Sequence, residues 1–470
     1  MKGFLTAAER LGSFEEIRRN LAEGVTPMLA TGLSQIHKVH FAWALTGGSR
    51  LVLTPDEPAA VRMAEDLNRF YGEEKAVVFP TREFSFREVE GVSREYEFAR
   101  LRVLESLAWG EEMVVVASAE AALQRTFPPE TLRQHCTTLT AGQSISPEEV
   151  IARLLAAGYE RRDQVDGVCQ FSQRGGIIDF YPPHMPDPFR LEFWGDEIDS
   201  IAVFKTDTQR REDNCKRCMI TPAREVLYDS PESFADDLEA RAKKLRGKYS
   251  APAKEHLLSD VGKLRDGLTL QNIDKYLPVL YERRCTLLDY LPEDAPLFVC
   301  EPAGVREELR SANRLMTEDM KVLFEEGVLF EGCDRYLMDY GRIAEEAAVR
   351  PTLFMDTFTR SIGDIPLKGL YNIDAVQLAV WGGELAHLIE DLDAYLDSGY
   401  TVCILAGTEK AGRALTSDLV GKGYNADYAA DLPALTPKKV YVLPGSLSAG
   451  FEYPEIRLAV FTHGRVGASL

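Results

Sequence analysis

The chain has 470 residues, of which 45% are hydrophobic and 27% charged, and its formal net charge is -20. This length exceeds what one hydrophobic core usually organises and predicts about three or four domains, and no stretch approaches the roughly 20 apolar residues of a membrane span. Because non-specific DNA binding depends on Lys and Arg that neutralise phosphates, the charge argues against tight DNA binding, although a local basic patch remains compatible with it.

The first residues and the cysteines indicate a cytoplasmic protein. Residues 1–19 alternate Leu, Phe and Ile with Glu and Arg, and they lack the basic start, apolar centre and cleavage site of a signal peptide. Eight widely spread cysteines do not form a disulfide framework. Cys215 and Cys218 form one isolated CxxC, and the nearest histidines, His184 and His256, do not have zinc-finger spacing. We therefore expect reduced thiols and no metal site.

Residues 1–136 have the pattern of an α/β domain. Short, nearly unbroken apolar runs suit strands that are buried on both faces, as in a parallel sheet. Helical segments at residues 59–71 and 93–109 alternate with apolar runs at residues 50–54, 76–79 and 113–117. The Pro128-Pro129 pair and the Thr-rich stretch after Cys136 mark the end of this domain.

A degraded phosphate-binding loop lies near the start of this domain. Gly32 and Lys38 have the spacing of GxxxxGK[ST], but His37 replaces the second glycine and Val39 replaces the hydroxyl residue. The glycine lets backbone amides surround the phosphate, and the hydroxyl ligates magnesium. We therefore expect Lys38 not to hold a nucleotide, and taken alone the match favours chance within a strand-loop-helix unit.

Residues 137–222 change to short strands with close turns, which predicts a small separate β-rich domain. Residues 190–194 and 198–204 flank Gly195-Asp196-Glu197 and read as a β-hairpin. Strand alternation directs Leu191 and Phe193 to one face. Arg190, Glu192 and Trp194 then share the other face.

Two readings of that second face are open from alternation alone. Arg and Trp are enriched at interface hot spots, which favours an interaction surface. In the other reading Trp194 covers a second small core and Arg190 pairs with Glu192 beside it. On the interface reading, truncating Arg190 is expected to cost on the order of 2 kcal/mol of binding, and the fold is expected to survive.

Residues 223–362 are mainly helical and contain two apolar runs, residues 297–300 and 353–358, either of which could return to the first sheet. ATPases of the phosphate-loop class end such a strand in an acidic pair, for magnesium and for water. Here only Glu301 remains, and Cys300 stands in its acidic neighbour's place. A lone Glu301 after a strand is usually solvated.

Residues 363–470 begin with a linker at 363–369 and repeat the α/β pattern. Helices are expected at residues 384–396 and 410–421, and strands at 401–405, 439–443 and 457–461. These elements suffice for one small doubly wound domain.

Two motifs, one in residues 1–136 and one in residues 223–362, carry a resemblance to the repair helicase UvrB. The sequences LLDYLPEDAPLFVCEPAGV, residues 287–305, and VVVASAEAALQ, residues 114–124, resemble its Walker B region and the strand and helix that follow its DNA hairpin. Residues 81–92 are too short for that hairpin. A UvrB-like body without nucleotide site and hairpin is similar to the amino-terminal region of the bacterial transcription-repair coupling factors, the Mfd family.

The β-rich segment carries the most specific resemblance. RGGIIDFYPP, residues 174–183, and PFRLEFWGDEIDSIAVFKTDTQR, residues 188–210, resemble the UvrA-binding domain that UvrB and the coupling factors share. The resemblance implies Arg174, Arg190 and Trp194 as UvrA contacts, with Glu192 as a participant. It also covers GSLSAGFEYPEIRLAVFT, residues 445–462, which is similar to the third domain of the coupling factors and carries no assigned chemistry.

The resemblance implies an adaptor that has no catalytic residue of its own. Its fold is a degenerate phosphate-loop, UvrB-like parallel-sheet domain, which a β-rich insertion splits and a small α/β domain follows. The function implied is recruitment of UvrA to stalled RNA polymerase in nucleotide excision repair. A longer relative continues into a polymerase-binding domain and a DNA translocase, so RNA polymerase, DNA, ATP and Mg²⁺ are expected for those parts only, and weak or no DNA binding for this chain.

Three other functions are distinguishable from this one. An active UvrB-type ATPase needs an intact phosphate loop, against which His37 and Val39 argue. A metabolic α/β enzyme would use His40, Cys403 or a carboxylate pair, yet no Ser-His-Asp, GxSxG or HExxH arrangement is present. A structural scaffold without UvrA affinity would fail a pull-down with UvrA.

Overall fold

The computed structural model describes residues 1–89, 91–382 and 384–464. The described residues do not include Glu90, which belongs to the short segment 81–92. They also do not include Gly383 and residues 465–470, which belong to the last predicted domain, residues 363–470. The described residues form an α/β protein with four sheets, of which the largest is fully parallel. The predicted fold class, an α/β multidomain protein with a parallel sheet and separate β-rich sheets, is confirmed.

The first segment alternates strands and helices where the apolar runs predict them. Its strands are β1 (Met28–Thr31), β2 (Arg50–Thr54), β3 (Ala76–Phe79) and β4 (Val114–Ser118). Its helices are α1 (Lys2–Glu9), α2 (Phe14–Glu23), α3 (Gln35–Ala44), α4 (Glu57–Tyr71), α5 (Glu95–Ala108), α6 (Ala119–Leu123) and α7 (Pro129–Gln134). Helix α4 shows why the sequence predicts such boundaries. The Asp56 side chain accepts a hydrogen bond from the Ala59 amide at its start, and Gly72 ends it with φ 74°.

The second segment is a mainly antiparallel β unit with one helix, in which β6 and β7 pair in parallel. It contains β5 (Thr137–Thr140), α8 (Pro147–Ala156), β6 (Glu160–Arg161), β7 (Gln170–Arg174), β8 (Ile177–Phe180), β9 (Phe189–Trp194), β10 (Glu197–Phe204), β11 (Arg211–Cys215) and β12 (Arg217–Ile220). Its main sheet has the order β11-β10-β9-β8-β7-β6 and encloses a core of its own. The predicted three-residue turn is one residue too long, because Glu197 already pairs with Trp194.

The third segment supplies helices and two more strands to the first sheet. It contains α9 (Pro231–Lys244), α10 (Ser250–Arg265), α11 (Leu277–Leu280), β13 (Leu297–Cys300), α12 (Pro302–Glu325), α13 (Tyr340–Val349) and β14 (Thr352–Met355). Both predicted apolar runs return to the sheet, where β13 and β14 pair with each other. Among the described residues, no helix combines the length and apolar character needed to cross a membrane.

The fourth segment closes the first sheet and builds another. It contains β15 (Gly369–Asn372), β16 (Val376–Leu378), α14 (Leu385–Asp397), β17 (Thr401–Leu405), α15 (Glu409–Gly421), β18 (Ala426–Tyr428), β19 (Val440–Leu443), β20 (Gly450–Tyr453) and β21 (Leu458–Thr462). Strand β15 lies after the predicted boundary at 362/363, yet it pairs with β1 and completes the order β15-β1-β14-β13-β2-β4-β3.

The first and last sheets share a hydrophobic core. The sheet of order β16-β20-β21-β17-β19-β18 packs its inner face against α1 and α3. Phe4 of α1 meets Phe451 of β20 with ring centroids 6.0 Å apart. The same core includes Met28 of β1, so these helices are covered by a sheet on both sides. Helix α3, which follows the degenerate phosphate loop, therefore packs against the sheet of the fourth segment.

Candidate interaction face and degenerate phosphate loop

The outer face of the β-rich sheet is organised in cross-strand rows. Arg174, Ile177, Glu192 and Ser200 stand directly opposite one another on β7, β8, β9 and β10. Directly opposite residues share a face, and strands lie about 4.8 Å apart. Trp194 follows two residues after Glu192 on that same face. We call these five residues the outer row.

Arg190 lies in the next row and is covered, contrary to expectation. Its guanidinium forms a bidentate ion pair with Asp179, with Nε to Oδ1 at 2.8 Å and Nη2 to Oδ2 at 2.9 Å. Nη1 donates to the carbonyl of Gln209, and the guanidinium lies 4.5 Å from the ring centroid of Phe204. Only 9% of Arg190 is exposed. The expectation that Arg190 stands in the open beside Trp194 is therefore wrong, because β8 supplies a buried carboxylate opposite it.

Glu192 is half-buried and held by a network that the sequence reading missed. Its Oε2 accepts from Arg211 Nη1 at 2.7 Å and from Ser200 Oγ at 3.1 Å. The hydrogen bond from Arg211 holds the pKa of Glu192 below its ordinary value. The alternative reading proposed that Arg190 pairs with Glu192. The structure contradicts it, because Arg190 pairs with Asp179 and Glu192 pairs with Arg211.

Trp194 and Arg174 are the two open members of the outer row. Trp194 is 84% exposed at the end of β9, where the two-residue turn begins. Arg174 is exposed and has no ion pair within the described ranges. A free guanidinium and an uncovered indole are side chains that commonly carry binding energy at protein interfaces. The candidate interaction face is thus centred on Arg174 and Trp194. The covered Arg190 lies on the same side of the sheet, in the neighbouring row.

Asp179 and Arg211 are site residues that sequence reasoning did not single out. Asp179 had a signal, since an acid within the apolar run Ile177-Ile178-Asp179-Phe180 must find a cationic partner if it is buried. No sequence signal pointed to Arg211. The bulge at Asp199 shifts the register between β9 and β10, and this register decides which residues lie next to Glu192.

The degenerate phosphate loop follows β1, and its first amides are already bonded. The Gly32 and Leu33 amides donate to the carbonyls of Thr357 and Asp356, at 3.1 and 3.2 Å. Gly32 has φ +82°, and a Cβ at this position would stand 2.1 Å from the Ile373 carbonyl oxygen. In an intact loop such amides face the phosphates. Here the segments after β14 and β15 lie against them.

Lys38 is buried in a ring of oxygen atoms from this protein. Its Nζ donates to Glu301 Oε1 at 2.6 Å, to the Leu33 carbonyl at 2.8 Å and to Thr357 Oγ1 at 3.1 Å. Glu301 is therefore an ion-pair partner and not a merely solvated residue. The two charged residues that remain from the phosphate loop and the acidic pair are paired with each other.

A second carboxylate completes this cluster. Asp356 follows β14, as Glu301 follows the neighbouring β13. Arg360 Nη2 lies 3.8 Å from Asp356 Oδ1 and 3.9 Å from Glu301 Oε2, so the two carboxyls share one neighbouring guanidinium. Burial and the neighbouring Glu301 carboxylate raise the pKa of Asp356 to about 6. Burial by itself would raise the pKa of Glu301, but the neighbouring Asp356 carboxyl and the Lys38 ammonium hold it below its ordinary value. As the pH falls, Asp356 is therefore the first of the two carboxyls to take up a proton. Buried Cys300 contributes only packing.

His37 and Val39 join the loop helix to its surroundings. His37 Nδ1 lies 2.5 Å from Ser34 Oγ, and its Nε2 lies 3.2 Å from the Glu452 carbonyl of β20. Burial lowers the pKa of His37 to about 3, so the ring is neutral. Val39 is fully buried in the core between the first and last sheets. One turn on, His40 Nδ1 lies 2.7 Å from the Tyr453 hydroxyl, which makes His40 a core residue.

Comparisons with known proteins extend over almost the whole chain. Residues 137–226 match the family described as the UvrB interaction domain. A transcription-repair-coupling factor of Bacillus subtilis (strain 168) is 30% identical over 474 residues, which cover 98% of this chain and 40% of the relative. One from Staphylococcus epidermidis is 26% identical and covers 93% of this chain, and one from Staphylococcus aureus is 24% identical and covers 94%. The chain spans about 40% of the length of these relatives.

Proposed function

Because this chain belongs to the family of transcription-repair-coupling factors, we propose that it is a non-catalytic adaptor that recruits UvrA to stalled RNA polymerase for nucleotide excision repair. The outer row of the β-rich sheet binds UvrA, with Trp194 and Arg174 as its main contacts. Polymerase binding and ATP-driven translocation on DNA belong to parts of the longer relatives that this chain does not span.

The exposure of Trp194 is the observation that carries this proposal. An indole that is 84% exposed at the end of a well-paired strand buries little surface in its own chain. Tryptophan on a rigid strand offers large contact area at small entropic cost, because the strand already fixes its backbone. The matched family, the UvrB interaction domain, covers this strand. Glu192, oriented by Arg211, supplies an acceptor beside it.

The filled phosphate loop supports the absence of catalysis in this proposal. The ammonium of Lys38 meets Glu301, and the first loop amides meet backbone carbonyls. A nucleotide would have to break these bonds and displace the segment at Ile373. We therefore propose that the chain neither binds ATP nor uses Mg²⁺ at this site.

Titration of UvrA against matched variants tests the proposal. Trp194→Ala and Arg174→Ala are each expected to weaken UvrA binding by about 30-fold, which corresponds to roughly 2 kcal/mol. Trp109→Ala, a half-exposed tryptophan at the end of α5, and Arg210→Ala, an exposed arginine at the opposite end of the β9–β10 hairpin, are the controls. Both are expected to stay within about twofold of the unchanged chain.

Two results would contradict the proposal. Equal UvrA affinity of the unchanged chain and Trp194→Ala would remove the outer row as the binding face. A rise in the melting temperature upon addition of ATP and Mg²⁺ would show a working nucleotide site and favour an active UvrB-type ATPase instead.

A further inference from the structure

The tip of the α9–α10 helical hairpin is strongly basic in a protein of net charge -20. Residues 241–254 contain six Lys and Arg and no Asp or Glu. They span the end of α9, the connecting turn and the start of α10. We call the exposed cations of this region the basic tip; they are Arg241, Lys243, Lys244, Arg246 and Lys248.

The side chains of the basic tip have no counter-ion in the part of the chain that the structure describes. None of its five side chains has an ion pair with any residue in the ranges 1–89, 91–382 and 384–464. Elsewhere exposed cations are commonly paired, as Arg265 of α10 is with Asp236 and Glu239 of α9. The cations nearest the turn therefore remain available to an external anion.

Helix dipoles account for only part of this cluster. Arg241, Lys243 and Lys244 lie in the last turn of α9, where the partial negative charge of the helix end favours cations. Lys248 precedes α10, and Lys254 lies just after its first turn, where the helix end is positive and disfavours them. No acidic residue occupies the first turn of α10 to compensate. The helix dipoles therefore explain the cations at the end of α9 but not those around the start of α10.

We infer that the basic tip binds the phosphate backbone of duplex DNA without reading its sequence. Closely spaced Lys and Arg side chains release condensed counter-ions when they meet phosphates, and this supplies nearly all the free energy of non-specific binding. The ring of exposed Tyr249 lies 5.4 Å from Lys248 Nζ and adds a flat surface beside the sugar-phosphate chain. The tip lies outside the 137–226 segment, so it is a separate surface from the UvrA face.

Duplex DNA fits the tip better than an acidic protein surface does. The five cations follow one short segment, and among the described residues 241–254 the exposed large hydrophobic side chain is that of Tyr249. Protein interfaces of useful affinity usually need a buried apolar centre as well. The overall negative charge does not prevent local binding, because salt screens charges beyond about 10 Å at 0.1 M.

Fluorescence anisotropy with a labelled 30-base-pair duplex in 20 to 150 mM KCl tests the inference. The chain is expected to bind the duplex in 20 mM KCl, and the logarithm of its association constant is expected to fall linearly with the logarithm of the salt concentration. In Lys243→Glu/Lys244→Glu/Lys248→Glu, the affinity is expected to fall at least tenfold. The salt slope is expected to become shallower by about 0.9 for each phosphate that the variant no longer neutralises.

A charge-matched control separates the tip from the net charge. Lys2→Glu/Lys410→Glu/Lys422→Glu changes three exposed lysines that also lack ion pairs among the described residues, and it alters the total charge equally. It is expected to bind within about twofold of the unchanged chain. Equal losses in both triple variants, or no binding of the unchanged chain in 20 mM KCl, would overturn the inference, and the latter result would leave an acidic protein as the ligand. The assay contains no UvrA, so its outcome is independent of the proposed function.

Discussion

Arg190 and Trp194 stand four residues apart on the same strand face and end in opposite environments. Arg190 finds the carboxylate of Asp179 directly opposite on β8 and is covered by Phe204 and the Gln209 loop. Trp194 lies beyond the last pair of β8 with β9, and only Glu197 stands opposite it. Strand alternation predicts the face of a residue, whereas the neighbouring strands determine whether that face is covered at each position.

Truncation of Arg190 is therefore expected to destabilise the fold. Arg190→Ala leaves Asp179 as a buried, unpaired carboxylate, and breaking such a pair costs about 3–5 kcal/mol. Urea denaturation followed by circular dichroism would measure this free energy. Trp194→Ala is the control and should change it by less than about 0.5 kcal/mol, because the indole is exposed.

Simultaneous removal of both charges separates the ion pair from side-chain packing. Arg190→Met combined with Asp179→Leu should recover most of the lost stability, since no unpaired charge then remains. A free energy of unfolding unaffected by Arg190→Ala would mean that water reaches Asp179, and Arg190 would again qualify as a UvrA contact.

At the scale of elements, the ends of adjacent parallel strands decide the chemistry of the degenerate loop. Strands β13 and β14 place Glu301 and Asp356 side by side, and β1 brings Lys38 to the same edge through α3. Parallel strands end at one edge of a sheet, so residues distant in sequence meet there. Two carboxyls, the Lys38 ammonium and the more distant Arg360 guanidinium meet at this edge. Because the two carboxyls lie close together, protonation of Asp356 begins at a higher pH than for a free aspartate.

Asp356→Asn tests this protonation through the pH dependence of stability. The folded pKa of about 6 lies above the ordinary value of 3.8. The folded chain therefore keeps a proton that the unfolded chain releases, and the stability that this gives is complete below pH 4 and lost as the pH rises through 6. Asn mimics the protonated acid at every pH. The variant should gain stability over the unchanged chain between pH 4 and 7, by at most roughly 3 kcal/mol.

Melting temperatures of both proteins from pH 4 to 8 provide the measurement. His37 and His40 have lowered pKa values of about 3 and 4, so their contribution falls below pH 6.5 in both proteins and cancels in the difference. A difference that is constant over this range would show that Asp356 is ionised throughout.

At the scale of the whole molecule, the first and last sheets are expected to unfold together. They share the core around Phe4, His40 and Phe451, whereas the β-rich sheet has a separate core around Phe171 and Leu191. Elements that bury a common apolar surface lose stability as one cooperative unit.

Phe451→Ala tests this coupling by hydrogen exchange. The cavity is expected to cost about 3–5 kcal/mol. Amides of β1 and β17 should lose protection together, and amides of β8 and β9 should keep it. Phe171→Ala, a fully buried phenylalanine of the β-rich core, should give the reverse pattern. Loss of protection in β17 alone would show that the last sheet is an independent unit.

The sequence alone determined the parallel sheet and its main strands, and it showed two departures from the phosphate-loop motif. Buried parallel strands are continuous apolar runs, so β2, β3 and β13 were predicted with the bounds observed. His37 and Val39 stand where the motif has a glycine and a hydroxyl residue, and this substitution is visible in the sequence by itself. The predicted four-domain boundaries, the UvrA contacts and the absence of cofactors stay predictions.

Only the tertiary structure decided how polar residues pair and which surfaces stay open. Strand β15 pairs with β1 of the first sheet, although it lies after the predicted boundary at 362/363. Arg190 is covered because it forms an ion pair with buried Asp179. Lys38 meets Glu301 across 263 positions of sequence. Local periodicity reports the face of each residue, because it depends on backbone geometry alone, but a pairing between distant residues depends on strand order and register, which no local pattern encodes.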